Sequence, residues 1–130
     1  MLKKLQIFLL SLVALVAAVP ALAASGWTAY EPESFAAAQA AGKTIVVDVH
    51  ADWCPTCRAQ QPTLEKMRAD KRFAGVVFVK VNFDKDKDFL RAHRIPRQST
   101  IVVFKGRNET ARSIAETRPD KLSAAVLAGL

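Results

Sequence analysis

The chain has 130 residues, 51% of them hydrophobic, a formal charge of +7 and two cysteines. That length suits one domain whose core can fold without disulfide staples. Two cysteines separated by two residues close too small a loop to restrain an unfolded chain. The basic residues, among them Arg68, Lys71, Arg72, Lys85 and Lys87, are interleaved with acids, as in "DKDKD" at Asp84–Asp88. Such mixing describes a solvated surface and not a nucleic-acid footprint.

In chain order, "MLKKLQIFLLSLVALVAAVPALAA" opens with Lys3 and Lys4, runs apolar from Leu5 to Val19, and reaches the small-residue site Ala21-Leu22-Ala23. This order predicts a secretory signal peptide over 1–23, cleaved after Ala23. An uncleaved membrane anchor is the alternative, although the run is near the short end of the roughly 17–25 residues that span a bilayer. Cleavage leaves a domain of residues 24–130, and losing Lys3 and Lys4 lowers the formal charge from +7 to +5. Export also argues against a nucleic-acid partner.

"PESFAAAQAAG" (Pro32–Gly42) carries helix start and stop signals. "KTIVVDVHA" is β-branched and mostly apolar, which predicts a buried strand. A helix is expected from about Cys54 to Asp70, interrupted and kinked at Pro62, which lacks a backbone donor. "GVVFVKVNF" (Gly75–Phe83) reads as a second buried strand and "DKDFLRAHR" as a short helix. Ser99–Ile114 reads as two strands turning at Lys105–Asn108. A last helix is expected after Thr117 as N-cap, with Pro119 in its first turn. Alternating helices and strands predict an α/β fold: a parallel core sheet with helices on both faces, made mixed by the closing hairpin.

The chemistry rests on Cys54 and Cys57. A structural zinc site wants four ligands, and this chain offers one pair plus His50 and His93. No metal is therefore expected within one chain; a metal shared by the CxxC pairs of two chains is the alternative. A redox role has a mechanism: at a strand-to-helix junction, free N–H groups and the helix dipole favour a thiolate at Cys54 and leave it exposed. Cys57, one turn later, is placed to attack a mixed disulfide. Asp48 interrupts an apolar strand, where a lone buried carboxylate is costly unless its pKa rises or a partner compensates it. Lys80 interrupts the next strand in the same way. His50, near the pair, is a residue that can titrate near neutral pH.

With "ADWCPTC" after a buried strand, the sequence resembles the thioredoxin superfamily across nearly all of residues 24–130. The resemblance implies a thioredoxin fold and thiol–disulfide oxidoreductase activity. Cys54 would be the attacking and Cys57 the resolving cysteine, with Asp48 assisting proton transfer at Cys57 and Lys80 pairing with that acid. Trp53, Pro55, Thr56, Ser99 and Thr100 would line the substrate side, and Pro62 would be the proline of the active-site helix. Ser99 falls where the family usually places a cis-proline whose backbone meets substrate and which shields the cysteines from metal; Pro96 lies three residues too early. A non-proline cis bond costs roughly 2.5–4 kcal/mol, so a trans or strained Ser99 is expected. His50 replaces an aromatic residue common in thioredoxin itself, and the Pro55-Thr56 pair sets a redox potential that has to be measured.

Between Cys57 and Ser99 there is space for one strand and one short helix, so an inserted helical domain is not expected. The sequence reading is thus a periplasmic, monomeric reductase of disulfides in exported proteins. It needs no organic cofactor, having no glycine-rich phosphate loop, and would draw electrons from a membrane or periplasmic thiol partner. The alternatives are an oxidant or disulfide shuffler using the same cysteines, a metal-handling module, and a redox-inert interaction domain.

Overall fold

A computed structural model describes residues 26–130; the expected signal peptide over 1–23 lies outside them. The elements in order are β1 (Thr28–Ala29), α1 (Pro32–Ala40), β2 (Thr44–His50), α2 (Pro55–Ala69), a 3₁₀ turn (Lys71–Phe73), β3 (Val77–Asn82), α3 (Lys87–Ala92), β4 (Thr100–Lys105), β5 (Asn108–Ile114) and α4 (Pro119–Leu127). They build one sheet in the order β1-β3-β2-β4-β5. β1 and β2 run parallel to β3, whereas β4 runs antiparallel to both β2 and β5.

The sheet is mixed, as expected, but its antiparallel part starts in the centre, at the β2–β4 pairing, and not at an added edge. The parallel edge strand β1 was not anticipated. Two residues are too few to show any period.

Strand alternation splits β2 between two cores. Ile45, Val47 and Val49 pack with Phe35 of α1 and Phe89 and Leu90 of α3. Val46 faces the other way, with Leu64 and Met67 of α2 and Leu122 and Val126 of α4. Asp48 has the parity of Val46, so its carboxyl points at α2. Helices therefore cover both faces, and the central strand aims one acid at the helix that carries the cysteines.

α2 begins on Pro55, a residue suited to the first helical position because its missing donor is not needed there. The helix is not interrupted at Pro62 but continues through it to Ala69. Pro62 is exposed, as is Arg58, whose carbonyl it leaves without a helical donor. α4 is capped by Arg118 with no side-chain bond, in place of the expected Thr117, and Pro119 is its first residue. The β4–β5 turn falls at Gly106 and Arg107, as read from sequence, with Gly106 at a φ of +56° that suits a two-residue hairpin loop.

Candidate active site

The site is assembled where β2 ends, α2 begins and β4 begins. Cys54 is the N-cap of α2, and its sulfur accepts the Cys57 backbone N–H at 3.1 Å. That bond satisfies one of the donors a helix start leaves free, and it favours negative charge on the sulfur. Cys57 follows one turn later, with its thiol 3.9 Å from the Val49 carbonyl. Both are free thiols and both are fully buried. The expected exposure of Cys54 is not found, because its sulfur is covered in the reduced pair.

Ser99 closes the site from the β4 side. Its peptide bond is trans, and its φ is +65°, a left-handed conformation unusual for a residue with a side chain. Ser99 N–H donates to Val49 O at 2.8 Å, and its carbonyl accepts from Ala115 N at 3.0 Å and Gln60 Nε2 at 3.1 Å. Its backbone groups are thus engaged within the fold, and the expected pairing of that backbone with substrate finds no free group here. The Ser99 hydroxyl lies 3.2 Å from both Cys54 Sγ and Cys57 Sγ. Thr100 is buried and donates its hydroxyl to Arg97 O at 2.8 Å, which ties down the loop before β4.

The two thiols are unlike. Burial alone pushes Cys54 up, but hydrogen bonds from the Cys57 thiol, the Ser99 hydroxyl, the Cys57 N–H and Gln98 outweigh it, so Cys54 titrates below its ordinary value. Burial and the bond shared with Cys54 push Cys57 up, against a downward pull from Ser99.

Asp48 is fully buried, and that burial holds its carboxyl above the usual range. Gln61 Nε2 donates to Asp48 Oδ2 at 3.0 Å, and the nearby His50 and Lys80 also lower the pKa. Asp48 Oδ1 has no hydrogen-bond partner. Asp48 and Lys80 are register partners on β2 and β3, but the expected direct ion pair is replaced by a bridge. Lys80 Nζ donates to Gln61 Oε1 at 3.3 Å and sits 5.4 Å over the Trp27 ring. Gln61 also reaches back to Cys57 O at 3.4 Å, so one amide joins the acid, the lysine and the second cysteine's turn. His50 stands between Asp48, at 3.9 Å, and the exposed Asp52, at 3.4 Å. His50, Asp52 and Lys80 line a cavity of about 240 Å³ beside the acid.

Trp53 is exposed, its indole N–H bonded to Asp84 Oδ2 at 2.8 Å. Pro55 is also exposed and Thr56 half-buried, so these three present the outer rim of the site. Gln60 and Gln61 escaped the sequence reading. They are adjacent polar residues in an amphipathic helix, and only the fold shows that Gln60 is fully buried against Ser99. Among the described residues, no group of three or more His, Cys, Asp or Glu is placed to hold a metal.

The thioredoxin family model matches residues 27–128. The chain is 34% identical over 90 residues to a thioredoxin H-type of Fagopyrum esculentum, covering 69% of this chain and 75% of the relative. It is 39% identical over 74 residues to the thioredoxin of Mycoplasma genitalium, covering 57% and 71%. Among solved structures, Trxlp from Edwardsiella tarda EIB202 superposes with a TM-score of 0.74 at 38% identity, covering 78% of this chain and 98% of that one. A fold of this topology, with two unequal thiols at a helix start and relatives of this kind, leaves one conclusion: the chain belongs to the thioredoxin family and is a thiol–disulfide oxidoreductase.

Proposed function

We propose that the chain is an exported, periplasmic reductase of disulfides in exported proteins, re-reduced by a membrane or periplasmic thiol partner. The Cys54 thiolate attacks a substrate disulfide, forms a mixed disulfide and releases one substrate thiolate, which takes a proton from water. Cys57 then gives up its proton to Asp48 and attacks Cys54 Sγ. The second substrate thiolate leaves, and two electrons have passed from the cysteine pair to the substrate. Trp53, Pro55 and Thr56 offer the outer surface against which a substrate docks.

The observation that carries the exchange roles in this reading is the placement of Cys54 as N-cap of α2, with its sulfur accepting the Cys57 N–H at 3.1 Å. Opposite shifts go with it, Cys54 lowered and Cys57 raised, and a buried carboxyl is linked by Gln61 to the turn of Cys57. A resolving thiol that holds its proton needs a nearby base that ionises late, and Asp48 has that character. Location rests on the sequence of residues 1–23, and a periplasm kept oxidising calls for an outside electron source.

The reduction potential of the Cys54–Cys57 pair, equilibrated in thiol buffers, decides direction. A value near about −270 mV supports a reductase, and one near about −120 mV makes the protein an oxidant. Fractionation of cells carrying the full chain tests location: a periplasmic product starting at Ala24 supports export.

A further inference from the structure

β4 starts on Thr100, and the residue before it is held from three sides. Val49 O takes its N–H, while Ala115 N and Gln60 Nε2 share its carbonyl. Those bonds fix Ser99 in a left-handed conformation, which a glycine would adopt without steric cost. The hydroxyl they aim is fully buried and stands 3.2 Å from each sulfur. A hydroxyl has one hydrogen and two lone pairs, so it donates to one sulfur at a time while it can accept from the other.

We propose that Ser99 is a catalytic residue whose hydroxyl turns between the two sulfurs and donates its hydrogen to whichever carries the negative charge. In the reduced pair, the hydrogen points to the Cys54 thiolate, toward which the Cys57 thiol also donates, and Cys57 Sγ stays within 3.2 Å of the same oxygen. When Cys54 Sγ bonds to a substrate sulfur, its charge leaves with the departing substrate thiolate, and the hydroxyl no longer has an anion on that side. It then turns to Cys57 and stabilises the thiolate that forms as the proton passes to Asp48. Cys57 Sγ attacks Cys54 Sγ, the substrate thiolate departs, and the Ser99 oxygen ends with the hydrogen it began with. Ser99 neither gains nor loses a proton, and no outside reactant is needed. Oxygen–sulfur hydrogen bonds to an anion are stronger than those to a neutral thiol, so the donor follows the charge.

The proposal rests on Cys54 being the attacking thiol, but its main test uses no substrate and is independent of the direction of electron flow. Ser99→Gly removes the hydroxyl and suits the backbone; Ser99→Ala removes it and keeps Cβ. The thiolate absorbance of Cys54 is titrated in both, alongside the rate of alkylation. The expected result is an upward shift of about one pH unit, hence about tenfold less thiolate at a pH below both midpoints. A second readout loads Cys54 with a chromogenic thiol and follows its release by Cys57, expected to slow about tenfold. An unchanged midpoint in folded Ser99→Gly overturns the proposal. A shifted midpoint with an unchanged release rate overturns the turn toward Cys57. A measurement on the unaltered protein decides the matter even if both variants fail to fold: the Ser99 Cβ resonance should shift at the Cys54 midpoint, and one indifferent to it contradicts the proposal.

Discussion

Burial ordinarily raises the pKa of a thiol, yet Cys54 titrates below its ordinary value, because the start of α2 and the Ser99 hydroxyl supply hydrogen bonds that favour the charged form. Asp48 shows the opposite balance, since one of its oxygens has no partner and burial prevails. Its folded pKa lies above its unfolded one near 3.8. Such a carboxyl favours folding while protonated; that contribution is complete below the unfolded pKa and is lost as pH rises through the folded value. Asp48→Asn keeps the size and the Gln61 contact but removes the charge. Denaturant unfolding at several pH values should show the variant more stable at neutral pH by about 1 kcal/mol or more. Its stability should also lack the decline expected of the wild type as pH rises above about 3.8. Equal stabilities at neutral pH contradict the assignment of a strained buried acid. The sequence exposed Asp48 and Lys80 as charges within apolar strands, but not the glutamine between them. Gln61 bridges them through side-chain reach across the α2–β3 gap, which no spacing along the chain encodes.

The elements with strong local patterns were legible: β2 and β3 from their β-branched runs, the hairpin from its turn at Lys105–Asn108, and α2 from about Cys54 onward. Two features were not. β1 exists only because its two residues find partners at Val79 and Lys80, and β4 runs against β2 for reasons of chain crossing that local sequence does not carry. A third lies at the C-terminus, where the turn after α4 packs on the hairpin. A Cβ on Gly129 would stand 2.8 Å from the Cβ atoms of both Ala111 and Val103, and Thr110 donates its hydroxyl to Gly129 O at 2.7 Å. Gly129→Ala should therefore destabilise the fold by about 1–3 kcal/mol through overpacking, read as a lowered denaturation midpoint. The Cys54 titration should remain where it is, because the contact is remote from the cysteines. A variant as stable as the wild type shows that the terminal turn is free to shift away.

At the scale of the whole molecule, the sheet is a frame that brings three elements together at one end of its central strands: β2 supplies Asp48 and His50, the start of α2 supplies the cysteines and both glutamines, and Ser99 stands just before β4. The central position of β2 between β3 and β4 gives Asp48 a fully buried site with Lys80 beside it. The fold class was legible because alternating elements leave few arrangements that bury both faces. The site was legible in its cysteines and buried acid, while its hydroxyl lay hidden at a position expected to act through its backbone. The central claim is that Cys54 attacks and Cys57 resolves, and one trapping experiment tests it most directly. Reduced Cys57→Ser and Cys54→Ser proteins are each mixed with a disulfide-bonded peptide and followed by mass spectrometry. A long-lived mixed disulfide at Cys54 in the Cys57→Ser protein, and none in Cys54→Ser, is the predicted result. A stable adduct at Cys57 in the Cys54→Ser protein, with none at Cys54 in its counterpart, would reverse the roles and contradict the account.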